Sequence, residues 1–133
     1  MRFLFLCTAV MIGNYSWQDA PKPAAAPATS AADAAKVNPV KPTPVSLASG
    51  KKTYGTDCAM CHGKTGAGDG DLATDMKLTL KDYRNPDSLK DISDGEIFSI
   101  IEKGKGQMSG EEGRLKAPQI WDLVNYVRSL SKK

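Results

Sequence analysis

The sequence predicts an all-α domain of three main helices wrapped around one buried group, and three observations predict it. Three stretches between residues 46 and 130 repeat apolar side chains at helical spacing. A long segment rich in Gly and Asp separates the first from the second. The domain is also short for a self-sufficient core, and domains of that size commonly need a cofactor or a staple.

The chain has 133 residues, enough for one small domain and an appendage. Residues 1–17, MRFLFLCTAVMIGNYSW, place Arg2 before an apolar run from Phe3 to Ile12, the pattern of a short secretory signal or N-terminal anchor. The run is too short to span a bilayer as a helix. Cys7 is read as part of that run, with lipidation as the alternative. Residues 18–45 hold six of the eight prolines among Ala and Lys, with no apolar periodicity, and read as a disordered, partly polyproline tether. Residues 46–133 form the domain, with 14 Lys and Arg against 13 Asp and Glu. That near-neutral balance gives no nucleic-acid footprint.

The first helix is SLASGKKTYGTDC, with Ser46 as N-cap and Leu47, Tyr54 and Cys58 in helical register. Gly50 inside it costs helix stability, which suggests close approach by another backbone. The second helix, SDGEIFSIIEKG, opens on a capping box of Ser93 and Glu96, carries Ile97, Ile100 and Ile101 on one face and ends at Gly104. The third, PQIWDLVNYVRSL, has Pro118 in its first turn and Ile120, Leu123, Val124, Val127 and Leu130 in register. Its cap is poor, because neither Lys116 nor Ala117 offers a side-chain acceptor. Between first and second helix, Gly63-Lys64-Thr65 lacks the preceding glycine of a phosphate loop. Asp69, Asp71 and Asp75 fail the register of a calcium loop. The stretch reads as irregular chain around a cofactor, with a short helix near Asp87 to Lys90.

The first helix delivers CAMCH, residues 58–62. In a C-x-x-C-H run the thiols can form thioethers to the vinyl groups of a haem, and the adjacent imidazole can ligate the iron. Three alternatives stand beside this. A redox dithiol follows a strand in a βαβ pattern, and no strand precedes Cys58. Zinc needs about four ligands, and the chain offers no Cys or His after His62. A disulfide closing so short a loop would do little to the unfolded ensemble.

His62 is the chain's one histidine, so bis-histidine ligation within a monomer is excluded. Methionine is the usual alternative in electron carriers. Met60 lies between the tethering cysteines and cannot reach the far face. Met76 is only fourteen residues beyond His62. Met108 follows the second helix in a glycine-rich turn that lets backbone pass close to a flat ring, and it is the expected distal ligand. A core methionine filling a gap is the alternative. With its one histidine spent on iron, the chain has no Ser-His or Cys-His pair, so no enzyme is expected.

On CAMCH, the helix pattern, DGEIF and Met108, residues 47 to 131 resemble the monohaem class I cytochromes c of bacteria. The resemblance implies a small cytochrome c fold with one covalent haem c. Cys58 and Cys61 would be its thioether anchors, His62 the proximal iron ligand and Met108 the distal one. It also implies that Gly50 and Tyr54 are the family's first-helix glycine and aromatic, and that Tyr126 crosses near Gly50. Two departures stand out: Ser109 replaces the proline common after the ligand methionine, and no proline lies between His62 and Pro86 to position an acceptor for the imidazole.

The expected function is an exported, periplasmic one-electron carrier in a respiratory or similar chain. It would be a monomer that meets redox partner proteins by transient docking and binds no nucleic acid and no small-molecule substrate. Membrane association would come only through the N-terminus. Lys64, Lys103 and Lys105 flank the ligand segments and could favour an acidic docking surface, but with a near-neutral domain they read first as ordinary solvated lysines. The alternatives are a haem subunit of a larger oxidoreductase held by its tether, and a gas or redox sensor with a labile distal ligand.

Overall fold

The structure is a computed structural model that describes residues 29–131. The N-terminal signal, Cys7 and the first part of the tether lie outside the described residues. Helices α2 (Pro44–Thr53), α5 (Asp94–Lys103) and α6 (Ala117–Leu130) build the domain, as the sequence leads one to expect. Shorter elements join them: α1 (Ala31–Ala34), α3 (Ala59–His62), α4 (Asp71–Asp75) and a 3-10 turn at Pro86–Leu89. A two-stranded antiparallel hairpin, β1 (Gly104–Lys105) and β2 (Met108–Ser109), follows α5. Among the described residues no helix is long and apolar enough to cross a membrane.

Helix α6 is the spine. Ile120, Leu123, Val124, Val127 and Leu130 are buried as the spacing predicts, and Trp121 and Tyr126 widen the stripe. From α5 the core receives Ile97, Phe98 and Ile101, whereas Ile100 is only half-buried. Phe98 packs on Trp121 with ring centroids 4.3 Å apart. Burying an aromatic or aliphatic side chain of this size contributes about 1.5–3 kcal/mol, so these contacts dominate the stability of the fold.

Helix α2 is held differently. It begins at Thr43, whose hydroxyl accepts the Ser46 N–H, with Pro44 at the first turn; Ser46 is therefore inside the helix, not its cap. Its buried face is small and polar, Ser46 and Gly50, rather than apolar. A Cβ on Gly50 would collide with the Asp122 carbonyl and lie 2.8 Å from the Tyr126 Cβ, so glycine permits the crossing with α6. Ser46 Oγ donates to Asp122 at 2.6 Å, and the Tyr54 and Tyr126 rings meet at 5.2 Å.

Residues 29–45 fall in the segment expected to be a loose tether, yet they lie along the domain. Ser30 caps α1, and the buried Asp33 carboxylate meets Lys103 at 2.9 Å and Lys36 at 3.1 Å. Lys36 stands over the Phe98 ring at 5.1 Å. Asn38 donates to Asn125, and Asn125 donates to the Val40 carbonyl and to Ser46 Oγ. The arm docks through polar bonds, which is why composition and apolar periodicity gave no sign of it.

Caps also differ in detail. Ser93 accepts the Glu96 N–H as expected, but the Glu96 carboxylate takes the Thr29 hydroxyl instead of closing the box. At α6 the Gln119 side chain accepts the Lys116 N–H at 3.0 Å, which supplies the cap that Lys116 itself cannot.

Candidate functional site

Helix α2 runs without a break into a π-helical turn, Tyr54–Cys58, and then α3. In that turn the Ala59 N–H reaches back five residues to the Tyr54 carbonyl. The wider turn accommodates one extra residue, and such turns recur at functional sites. Here it sits directly before Cys58, and α3 then carries Cys61 and His62 to the helix end.

Gly63 stops that helix with φ of 77°, a conformation that favours glycine. The chain then folds back: Gly68 N–H donates to the His62 carbonyl at 2.8 Å and Gly70 N–H to the Cys61 carbonyl at 3.1 Å. A side chain at Gly70 would strike the Met60 and Cys61 carbonyls. The Tyr54 hydroxyl, buried, donates to the Gly63 carbonyl at 2.9 Å. The glycine-rich loop thus clamps the backbone that presents the two cysteines and the histidine.

Cys58 and Cys61 are half-buried and, among the described residues, unbridged. Burial, then the charges of Asp57 and Glu111, pushes the Cys58 thiol up to about 12. His62 is half-buried, and burial holds its pKa below the ordinary 6.5, so at neutral pH it is the uncharged imidazole that can donate a lone pair to a metal. Its Nδ1 is buried and has no hydrogen-bond partner among the described residues. The Tyr83 ring stacks on the imidazole, with centroids 5.1 Å apart and planes at 24°. Tyr83 also ties its backbone to the Gly66 carbonyl at 2.7 Å. Among the described residues no group of three His, Cys, Asp or Glu could hold a metal ion, which leaves the zinc alternative without a donor set.

Met108 lies on β2 opposite Lys105, half-buried and packed against the core. Cys58, Ala59, Tyr83 and Leu115 pack against that same core. Met60 and Met76, by contrast, are 62% and 47% exposed. The hairpin is closed by Gly106 at φ 62°, and its stem is pinned to α5 by Glu111 N–H to the Ile101 carbonyl and Glu112 N–H to the Glu102 carbonyl, both 2.9 Å. Such bonds hold the segment without the proline expected after Met108.

Arg114 links the two halves. Its Nη2 donates to Asp57 at 3.1 Å, and its Nη1 lies 3.3 Å from Glu111 Oε2, an ion pair outside hydrogen-bond alignment. Neither Arg114 nor Tyr83 was singled out from the sequence. An aromatic in an otherwise polar loop was the available signal for Tyr83; Arg114 gave none. Lys64, Lys103 and Lys105 are all exposed, and Lys103 also pairs with Asp33.

Unbridged thiols flanking a neutral imidazole, with a methionine packed on the same core, fit a covalently tethered haem. The cytochrome c family profile matches residues 47–131. A cytochrome c6 of Pyropia tenera is 33% identical over 87 residues, covering 65% of this chain and 95% of its own length. The cbb3-type cytochrome c oxidase subunit FixP of Bradyrhizobium sp. ORS 278 is 34% identical over 90 residues, 63% of this chain. A chain of the Kuenenia stuttgartiensis reducing HAO-like protein complex superposes with TM-score 0.59 at 28% identity over 69% of this chain. This chain spans 30% of the FixP subunit and 46% of the Kuenenia chain.

Proposed function

The chain belongs to the cytochrome c family, an electron-transfer haem protein with covalently bound haem c, and from that premise we propose that it is an exported one-electron carrier with a His62/Met108 iron site. The bound haem supplies a one-electron couple at its iron. Cys58 and Cys61 would hold it through two thioethers, and His62 would ligate through one nitrogen of its neutral ring. The Met108 thioether would fill the opposite position, a ligand that raises the reduction potential relative to a second histidine.

The protein's part is positional. The glycine clamp on the Cys61 and His62 carbonyls fixes the α3 end. Tyr83, stacked on the imidazole, restricts its rotation, a role that falls elsewhere to a second-shell hydrogen bond. The single observation that carries the reading is two unbridged, half-buried thiols beside a desolvated imidazole at a glycine-terminated helix end. With His62 and Met108 both serving as ligands, substrates would not reach the iron. Bond-making catalysis is therefore not assigned, and partners would be redox proteins met transiently.

Mass spectrometry of the exported protein after denaturation tests the attachment. One haem should remain on the chain in wild type and be absent from C58A/C61A; haem released from wild type by denaturant would reject it. Similarity to FixP, by its name a subunit of an oxidase, favours a second reading in which this chain works within a larger membrane complex. Co-purification with such a complex would select that reading over a free shuttle.

A further inference from the structure

We propose that Arg114 is a positioning residue that holds the Met108 segment against the thiol-bearing turn; this rests on Met108 as distal ligand. Among the described residues its bond to Asp57 is the one polar link between residues 54–62 and residues 104–116. Asp57 directly precedes Cys58, and Glu111 lies three residues past Met108. The two carboxylate side chains are 16% and 10% exposed, and both lie against the same guanidinium, at 3.1 and 3.3 Å. Arg114 stands between them, with one nitrogen toward each. Its own turn is rigid, because Arg114 and Leu115 N–H groups both donate to the Glu111 carbonyl at 3.0 Å.

Without the guanidinium, two poorly solvated like charges repel across the gap that separates the haem anchor from the distal ligand. The hairpin stem stays bonded to α5, so the fold survives and only the ligand segment moves away. A lysine cannot repeat the bridge, since one compact ammonium replaces two guanidinium nitrogens set toward different carboxylates.

Imidazole binding to the ferric holoprotein, followed by its visible spectrum, reads this displacement. R114A should bind imidazole about fivefold tighter than wild type, the scale of a pair worth roughly 1 kcal/mol, with R114K between. Removing the repelling charges in R114A/D57N/E111Q should return affinity to within about twofold of wild type. Wild-type affinity in R114A, or a triple variant as loose as R114A, would overturn the positioning role alone. If wild type already takes imidazole as readily as M108A, Met108 is not the ligand and both readings fall.

Discussion

Asn125 shows how one buried polar side chain can organise this molecule. It is 6% exposed, yet it accepts from Asn38 and donates to Val40 and Ser46, so it joins the arm, α2 and α6. Replacing it by alanine strands partners in a buried place, and Asn125→Ala should lower unfolding free energy by about 1–3 kcal/mol in denaturant titrations. A change below roughly 0.5 kcal/mol would mean that water replaces it. At this scale the sequence displayed Cys58, Cys61 and His62 openly, because their chemistry requires adjacency along the chain. Tyr83 on His62 and Arg114 between Asp57 and Glu111 could not be read there, since each contact joins residues far apart in sequence and no periodicity encodes it.

Helices α5 and α6 were legible because apolar spacing, Ser93, Gly104 and Pro118 mark them directly, whereas α2 buries Ser46 and Gly50 in place of an apolar stripe. The start of α2 moved to Thr43 because proline favours the first turn, leaving the preceding threonine as acceptor. The arm was not legible, since ion pairs and amide bonds hold it. Lys103 and Lys36, together with the Ser30 and Ser99 hydroxyls, keep the Asp33 carboxyl well below its ordinary 3.8. Glu102 shares Lys36 at 3.7 Å and is the other charge near the pair. A depressed carboxyl contributes stability above its unfolded pKa and loses it as pH falls toward the folded value. Hydrogen exchange at residues 30–36 should therefore be slow at neutral pH and accelerate as pH drops below about 4, after correction for intrinsic exchange. The opposite limit comes from Lys103, raised above 10.5 by Asp33, whose contribution is complete below that value and fades above it. Asp33→Asn should expose the arm at neutral pH and flatten the acid limb; protection equal to wild type would show that the ion pairs do not hold it.

For the whole molecule, the family and its haem follow from the pairing of CAMCH with a three-helix frame, and the sequence carries both. The route by which Met108 is held was not: a hairpin bonded to the last turn of α5 takes the place of a proline, and an arginine bridges it to the cysteine turn. Near-neutral domain charge, with Lys103 paired to Asp33, leaves little field to steer a partner. The claim on which the account depends is that both axial positions of the iron are occupied by the chain. The visible spectrum of the reduced, exported protein before and after carbon monoxide tests it most directly. An unchanged haem spectrum is the predicted result, with M108A shifting clearly under the same gas. A clear shift in wild type would contradict the account, because it would mean an open or labile distal side and a protein built for sensing or catalysis instead of electron transfer.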